Sequence, residues 1–426
     1  MDAMAAATSI EDVEIVTFGC RLNTNDSEIM RARAAEAGLR DAVIVNTCAV
    51  TGEAVRQSRQ AIRKLRRARP DAQIIVTGCA AQIEPDTFAA MPEVDRVIGN
   101  EEKLRSDAFA PGGARVRVGD IMSVREHAPH LIDAAPSRMR AYVEVQTGCD
   151  HRCTFCTIPF GRGNARSAPA GDVIAHVRAL VERGAPEIVL TGVDLTSWGA
   201  DLPGAPNLGN LVARILKLVP DLRRLRLSSI DAIEMDDALF DLVTGDERIA
   251  PHLHLSLQHG HDLILKRMKR RHRRADAVDL CARLKAARPG IALGADLIAG
   301  FPTETDEHFT ASRALIKDCA LSYVHVFPYS PRSGTPAARM PQLDRALIKS
   351  RAAQLREVAD AALVQHLDRW IGKTAEALVE TEQTARLPDF TAIRLDPGFR
   401  LAEDQGRMVE MNFASHDGRS LIGIPA

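Results

Sequence analysis

The segment Thr147–Gly163, TGCDHRCTFCTIPFGRG, holds three cysteines within eight residues. They are Cys149, Cys153 and Cys156, in the spacing Cys-x3-Cys-x2-Cys. Three thiolates are one short of the four that close a structural metal site, and catalytic metals keep one position open. Iron–sulfur clusters take cysteine thiolates, usually one per iron. The loop can therefore hold three irons of a 4Fe-4S cluster and leave the fourth for a reactant. Zinc is the competing reading, with His151 as a fourth ligand, but the spacing differs from the C-x2–4-C pairs of zinc sites.

A second trio is spread along the first part of the chain. The runs VEIVTFGC, AVIVNTC and AQIIVTGC read as buried strands that end at Cys20, Cys48 and Cys79. The helical pattern NDSEIMRARAAEAG, closed by Gly38, lies between the first two, and a basic helix after Gly52 lies between the second and third. A weaker helix and the short strand DRVIG follow. This alternation predicts an open parallel α/β domain with right-handed crossovers. Such sheets bind ligands along the carboxyl edge of their strands, so three cysteines at that edge are brought together. The plainer alternative is that each is a small buried hydrophobe. Cys281 and Cys319 fall in helical patterns and read as core. Eight cysteines in a chain without a secretory pattern point to metal ligation or catalysis, not a disulfide framework.

The elements downstream must position the first trio. A polar stretch near residues 121–137 reads as a linker. Six strand-like runs follow, AYVEVQTG, EIVLTG, LRRLRLSS, HLHLSLQ, ALGADLIAG and YVHVFPYS, with helical patterns between them. Six βα units are too few for a closed eight-stranded barrel and suit a partial one, with its site at the carboxyl ends of the strands. A long helix, roughly Asp344 to Leu367, ends this region. From about Ile371 the runs TAEALVETE, TAIRLD, FRLAE, RMVEMNF and RSLIGIP predict a small antiparallel barrel. The expected fold class is therefore α/β: an open parallel amino-terminal domain (1–125), a partial (βα)6 barrel (135–368) and a small carboxyl-terminal β-barrel (369–426).

Composition bounds the rest. The chain has 426 residues, 46% hydrophobic and 26% charged, with so few aromatics that aliphatic residues must fill the cores. No apolar run approaches the roughly 20 residues that span a bilayer. The first residues, MDAMAAATSIEDVE, lack the basic-then-apolar order of a signal, so no membrane partner and a cytoplasmic location are expected. Net charge is −1, yet Arg56–Arg69 carries seven basic residues and no acid, and Lys266–Arg274 carries seven more. Each run is either a solvated helix face or a binding surface for a polyanion.

With these residues in view, a family resemblance emerges. GCDHRCTFC, with Phe155 before the last cysteine, resembles the signature of the radical S-adenosylmethionine (SAM) enzymes. TFGCRLNTNDSE, VIVNTCAVT and VTGCAAQ resemble the amino-terminal domain of the methylthiotransferases, and the last barrel resembles a TRAM domain. The resemblance covers nearly the whole chain. It implies two 4Fe-4S clusters and SAM as cofactors. One cluster, on Cys149, Cys153 and Cys156, would bind SAM at its open iron and cleave it to a radical that takes hydrogen from a C–H bond. The other, on Cys20, Cys48 and Cys79, would supply sulfur, and a second SAM the methyl group. The family pattern also points to a SAM cradle: Gly192 and Asp194 in TGVD, Ser229 and Asp231 in LSSID, Gln258 in LQHGH and Gly300 in DLIAGFPTET. His259 and His261 depart from that pattern. The histidines His252, His254, His259 and His261 read as hydrogen-bonding residues more than as a metal cluster.

The family divides by substrate. GCRLNTNDSE with NTCAVTGEAVRQSRQAIRKLRR is most similar to the branch acting on N6-threonylcarbamoyladenosine beside the tRNA anticodon, although Thr24 and Asn25 depart from its pattern. The implied partners are the tRNA anticodon stem-loop, an electron donor and a sulfur source. Two other branches act on isopentenyladenosine in tRNA and on a ribosomal-protein aspartate. A reading from another class is a non-catalytic iron–sulfur protein that binds RNA.

Overall fold

The structure is a computed structural model that describes residues 13–125 and 140–426. The extreme amino terminus and most of the expected linker lie outside the described residues. Residues 121–125, the linker's start, include a short turn at Ile121–Ser123 capped by the Asp120 carboxylate, which accepts from Met122 N at 3.0 Å. The chain divides into two compact units. Among the described residues, one comprises 13–125, Gln146–Ala168 and Ser330–Ala338; the other comprises 140–145, Pro169–Tyr329 and Arg339–Ala426.

The first unit is built on β1 (Val13–Thr17), α1 (Arg21–Glu36), β2 (Ala42–Thr47), α2 (Gly52–Ala68), β3 (Gln73–Gly78), α3 (Cys79–Ile83), α4 (Pro85–Ala89), β4 (Arg96–Ile98) and β5 (Val116–Arg117). The five strands form one parallel sheet in sequence order. β2 is buried along its whole length, as a central parallel strand must be. Its alternate residues feed two cores. Val43 and Val45 join Val55 and Ile62 of α2, while Ala42 and Ile44 join Met30 and Ala34 of α1. The two helices thus cover opposite faces of neighbouring strands, so the two crossovers have opposite hands. The right-handed expectation is corrected for one of them. A sheet apolar on both faces needs cover on both, and this arrangement supplies it with two long helices.

Helix α1 starts at Arg21, earlier than its sequence pattern suggests, with Cys20 at its amino-terminal boundary. Gly38 follows its end with φ of +65°, the left-handed stop that glycine tolerates. The same unit contains the end of β6 (Arg140–Thr147), then α5 (Ile158–Arg162) and β7 (Arg166–Ser167), which pairs antiparallel with Gln146 and Thr147.

The second unit continues with α6 (Ala170–Glu182), β8 (Glu187–Gly192), α7 (Leu208–Leu218), β9 (Leu225–Leu227), α8 (Asp237–Gly245), β10 (His252–Gln258), α9 (Asp262–Arg267), α10 (Arg274–Ala287), β11 (Ala292–Ala299), α11 (Asp306–Asp318), β12 (Leu321–Pro328) and α12 (Arg345–Asp368). β6, β8 and β9 are neighbours in one sheet, and β10, β11 and β12 form another. Parallel bridges at Leu225–Ile249 and Ile230–Leu255 join the two sets. The six strands run in sequence order as a partial barrel, in agreement with the reading of six βα units. In β10, Leu253, Leu255 and Leu257 are buried on one face, while His252, His254, Ser256 and Gln258 share the other.

The last element is a closed five-stranded barrel of β13 (Thr374–Thr381), β14 (Thr384–Arg386), β15 (Ala392–Leu395), β16 (Met408–His416) and β17 (Leu421–Pro425). The expectation of a wholly antiparallel barrel is corrected, because β15 and β17 pair in parallel. FRLAE is no strand but leads into a 3-10 turn at Ala402–Asp404, and the short β14 stands in its place. Its core includes Leu367 of α12, so the long helix and the barrel share one apolar cluster.

Candidate active site

Cys20, Cys48 and Cys79 come from three different βα turns of the first unit, and the backbone packs them together. A Cβ on Gly19 would lie 2.7 Å from Cys48 Cβ and 2.8 Å from its Sγ. A Cβ on Gly78 would lie 2.3 Å from the carbonyl oxygen of Thr47, the residue before Cys48. Both glycines also have positive φ, +98° and +95°. Glycine before Cys20 and before Cys79 is thus a steric condition for bringing the three together. The thiols act on one another electrostatically: Cys79 raises Cys20, and Cys79 and Cys20 both raise Cys48. Burial is the larger cause at Cys48 and pushes its thiol up to about 12. Cys20 is exposed, yet the protein packed round it raises its thiol too. A charge-compensating cation would relieve Cys20 and Cys48.

The second trio lies on a loop held by backbone bonds. Cys149 N donates to Gly163 O at 3.1 Å and Cys156 N donates to Cys153 O at 3.1 Å. Ile158 N donates to Cys156 Sγ at 3.4 Å. Arg152 braces the loop through Cys149 O at 2.6 Å and Asn164 Oδ1 at 2.7 Å. Thr154 O accepts from Ala337 N at 2.9 Å. A Cβ on Gly148 would lie 1.9 Å from Asn164 O, so here too the residue before the cysteine must be glycine. Cys149, Cys153, Cys156 and Phe155 are all partly exposed. In both trios the thiols are uncrosslinked, drawn from turns, and either partly open or mutually repelling. These donor sets fit iron–sulfur clusters with one uncommitted iron each.

Around the first trio lies a group of charges that the sequence reading missed. Arg162 Nη2 lies 2.6 Å from Asp26 Oδ2 and 2.9 Å from Asn23 Oδ1, and Lys103 Nζ lies 2.6 Å from the same Asp26 oxygen. All four residues are buried. Burial alone would raise the Asp26 carboxyl, but Arg162 and Lys103 overcome it and hold the group below its usual range. A signal was present in α1. Asn23, Asp26 and Ser27 stand at i, i+3 and i+4, a polar stripe where the helix turns inward.

The proposed SAM residues of the second unit stand at the carboxyl ends of its strands. Gly192 ends β8, and Asp194 opens the turn Leu195–Ser197. Ser229 and Asp231 follow β9, and Gln258 ends β10 with φ of +67°. Asp231 is already engaged: its Oδ2 accepts from Arg270 at 2.8 Å, with Arg271 at 3.8 Å. Gly300 follows β11 with φ of +77°, and a Cβ there would strike Ile348 of α12 at 2.7 Å. The close approach expected at Gly300 is therefore satisfied by a core side chain.

His254, His259 and His261 behave as the hydrogen-bonding reading expects. His259 Nε2 meets Glu304 Oε2 at 3.0 Å, and Arg351 holds the other Glu304 oxygen at 2.8 Å. Burial lowers the His259 pKa and Glu304 opposes that shift. His261 caps α9 by accepting from Leu263 N at 3.2 Å. His254, Asp296 and His325 have metal-ligand proximity, but bond to one another, at 2.8 and 3.2 Å through one Asp296 oxygen. Cys281 and Cys319 are buried against each other, as expected of core residues.

The two basic runs are less bare than they read in sequence. In the first, Arg56 pairs with Glu53, Arg66 with Asp95 and Arg69 with Asp41. In the second, Arg270, Arg271, Arg273 and Arg274 pair with Asp231, Glu234, Asp276 and Asp318. Compensation comes from acids mostly distant in sequence, and the case for a polyanion from charge alone is weakened accordingly.

Residues 143–316 match the Radical SAM superfamily, and residues 12–99 match a family described as Uncharacterized protein family UPF0004. The "Threonylcarbamoyladenosine tRNA methylthiotransferase MtaB" of Rickettsia prowazekii is 52% identical over 383 residues, which are 90% of this chain and 91% of the relative. The chain belongs to the radical SAM tRNA methylthiotransferase family. Another family member, the "tRNA-2-methylthio-N(6)-dimethylallyladenosine synthase" of Cereibacter sphaeroides, is 36% identical over 96% of this chain and 97% of its own. Among solved structures, the radical SAM methyltransferase TsrM of Kitasatospora setae, with cobalamin and a [4Fe-4S] cluster bound, superposes with a TM-score of 0.50. That match covers 74% of this chain and 67% of the other at 17% identity, and it shows the fold alone. Among the described residues, no helix of this methylthiotransferase is long and apolar enough to cross a membrane.

Proposed function

We propose that this methylthiotransferase adds a methylthio group to C2 of N6-threonylcarbamoyladenosine at position 37 of tRNA, in the anticodon stem-loop. The observation that carries the substrate is the 52% identity, over nine-tenths of both chains, to a relative named for that nucleoside. The 36% identity to a dimethylallyladenosine synthase is lower over a similar span. The cofactors are SAM and two 4Fe-4S clusters, which supply the radical and the sulfur when bound. Cys149, Cys153 and Cys156 would hold one cluster, and Cys20, Cys48 and Cys79 the other. Phe155, Gly192, Asp194, Ser229, Asp231, Gln258 and Gly300 would line the SAM site.

The chain's own part in the reaction is positional. Gly19, Gly78 and Gly148 let the cysteine turns close up, and the Ile158 amide holds the Cys156 sulfur by a hydrogen bond. Glu304 fixes His259 and Arg351 beside the end of β10 and the turn after β11. Such preorganised groups keep the site from rearranging as charge moves. The functional division follows the sequence reading, with 1–125 as the sulfur-donating domain, 135–368 as the radical core and 369–426 as a TRAM-like domain. An electron donor and a sulfur source act with it in the cytoplasm. The terminal barrel has nine acids against five basic residues from Thr374 onward, so it would meet RNA through a local patch or by shape.

The test is a mass analysis of nucleosides from bulk tRNA of a deletion strain. Loss of the methylthio form, with N6-threonylcarbamoyladenosine accumulating, is expected. An unchanged methylthio nucleoside refutes the substrate. Formation of 5′-deoxyadenosine by reduced protein given SAM separates the enzyme from a non-catalytic RNA-binding protein.

A further inference from the structure

We infer that Arg162, with Asn100, is a positioning residue of the Cys20–Cys48–Cys79 site, and that its charge sets the reduction potential of the cluster held there. The inference rests on the ligand assignment proposed above. It goes beyond that assignment by giving one trio a structural and electrostatic dependence on the segment that follows the other.

Arg162 ends α5, six residues after Cys156. It nevertheless serves the loops of the other trio. Its guanidinium donates to Asn23 Oδ1 at 2.9 Å. The amide of Asn23 in turn donates to Phe18 O at 2.7 Å and to Thr47 O at 3.0 Å. Those carbonyls lie two residues before Cys20 and one before Cys48. A single side-chain relay thus holds two of the cysteine turns. The third is reached through the neighbouring residue. Asn100 Nδ2 donates to Gly161 O at 2.5 Å and lies 3.6 Å from Cys79 Sγ. A Cβ on Gly161 would sit only 3.1 Å from Cys79 Cβ. The end of α5 therefore lies against Cys79 and reaches the Cys20 and Cys48 turns through Asn23.

The charges point the same way. Arg162 and Lys103 share the one carboxylate of Asp26, and all three groups are buried. Removing Arg162 therefore takes one buried positive charge from beside the trio. Only Asn23 stands between the Arg162 guanidinium and the turns that carry Cys20 and Cys48, so its field reaches the ligands. A cluster gains negative charge on reduction. A fixed cation nearby, and a hydrogen bond to a ligand sulfur, both favour the reduced form. Arg162 and Asn100 should each raise the potential. Substitution at Arg162 is also tolerable to the fold, because Lys103 still neutralises Asp26.

The experiment uses the full chain with Cys149, Cys153 and Cys156 all changed to Ala, so that only the first trio can bind a cluster. Arg162→Gln, Arg162→Lys and Asn100→Ala are placed in that background and reconstituted anaerobically. Iron per chain and the midpoint potential, followed by electron paramagnetic resonance, are read. The inference expects Arg162→Gln and Asn100→Ala to shift the midpoint downward and to alter the signal, with Arg162→Lys closer to the parent. Loss of iron in Arg162→Gln that Arg162→Lys restores is the stronger form of the same result. Unchanged iron, signal and midpoint in Arg162→Gln and Asn100→Ala overturn it. A background chain that takes up no iron instead refutes the ligand assignment.

Discussion

Phe390 of the loop after β14 stacks on His252 of β10, with ring centroids 4.9 Å apart and planes 26° apart. Arg226 lies over the same ring at 5.0 Å, and its Nη2 donates to Pro388 O at 2.9 Å. On either side, Asp389 lies 3.1 Å from His366, and Thr391 Oγ1 lies 2.8 Å from the Tyr323 hydroxyl. Residues 387–391 thus fasten the small barrel to β10, β12 and α12 of the partial barrel.

Phe390 adopts φ of +75°, a strained conformation for a residue with a Cβ. Phe390→Ala is expected to cost about 2–4 kcal/mol, from lost packing and lost stacking. Phe390→Gly loses the same ring but relieves the backbone, so it should be more stable than the alanine variant by about 1 kcal/mol. Urea denaturation of both variants checks the order.

Glu187 is fully buried, with Arg226 at 2.7 Å, Arg140 at 2.8 Å and Arg224 at 3.4 Å. Burial would raise its carboxyl, but the three guanidinium groups outweigh that and hold it at about 2. The folded pKa is depressed, so the stabilisation is complete above the unfolded value and is lost as pH falls from about 4.5 to about 2. It amounts to about 3 kcal/mol. Glu187→Gln should be less stable at neutral pH by about 3–5 kcal/mol, because it leaves buried cations unpaired. Its stability should also change less than the parent's across that acid window, as denaturation at stepped pH would show.

Gly19→Ala forces a Cβ onto Cys48 while the backbone stays in the left-handed region. Iron per reconstituted chain should fall from about eight to about four. The signal of the cluster proposed for Cys149, Cys153 and Cys156 should remain.

Cys48→Ser and Cys153→Ser should separate the two tasks. Both should abolish methylthiolation of tRNA in cells. Only Cys153→Ser should also abolish 5′-deoxyadenosine formation in reduced protein given SAM. Equal loss of that product in both variants would show that the two trios do not divide the chemistry as assigned.

Much of this site was legible in sequence because it is local. The cysteine turns follow apolar runs that can only be buried strands, and the six barrel strands alternate with amphipathic helices. What was not legible depends on distance along the chain. Arg162 finds Asp26 136 residues away, and Lys103 finds it 77 away. His259 is explained by Glu304, 45 residues later. The basic runs read as uncompensated because most of their acids come from other elements. The parallel pairing of β15 and β17 could not be read either, since an alternating pattern marks a strand's faces and not its direction. The hand of a crossover is similarly silent in a strand–helix–strand pattern.

The ion cluster at Glu187 reaches across to the small barrel: Arg140 also meets Glu380 at 2.5 Å, and Arg224 lies within 4.0 Å of Glu376. Cutting the chain after α12 would strip those acids, the Phe390 ring and the Pro388 carbonyl from three arginines at once. The last sixty or so residues are therefore not an appendage that evolution or an experimenter can clip off at no cost. They close the floor of the fold they are attached to, and a shortened enzyme should misfold before it shows what it can no longer bind.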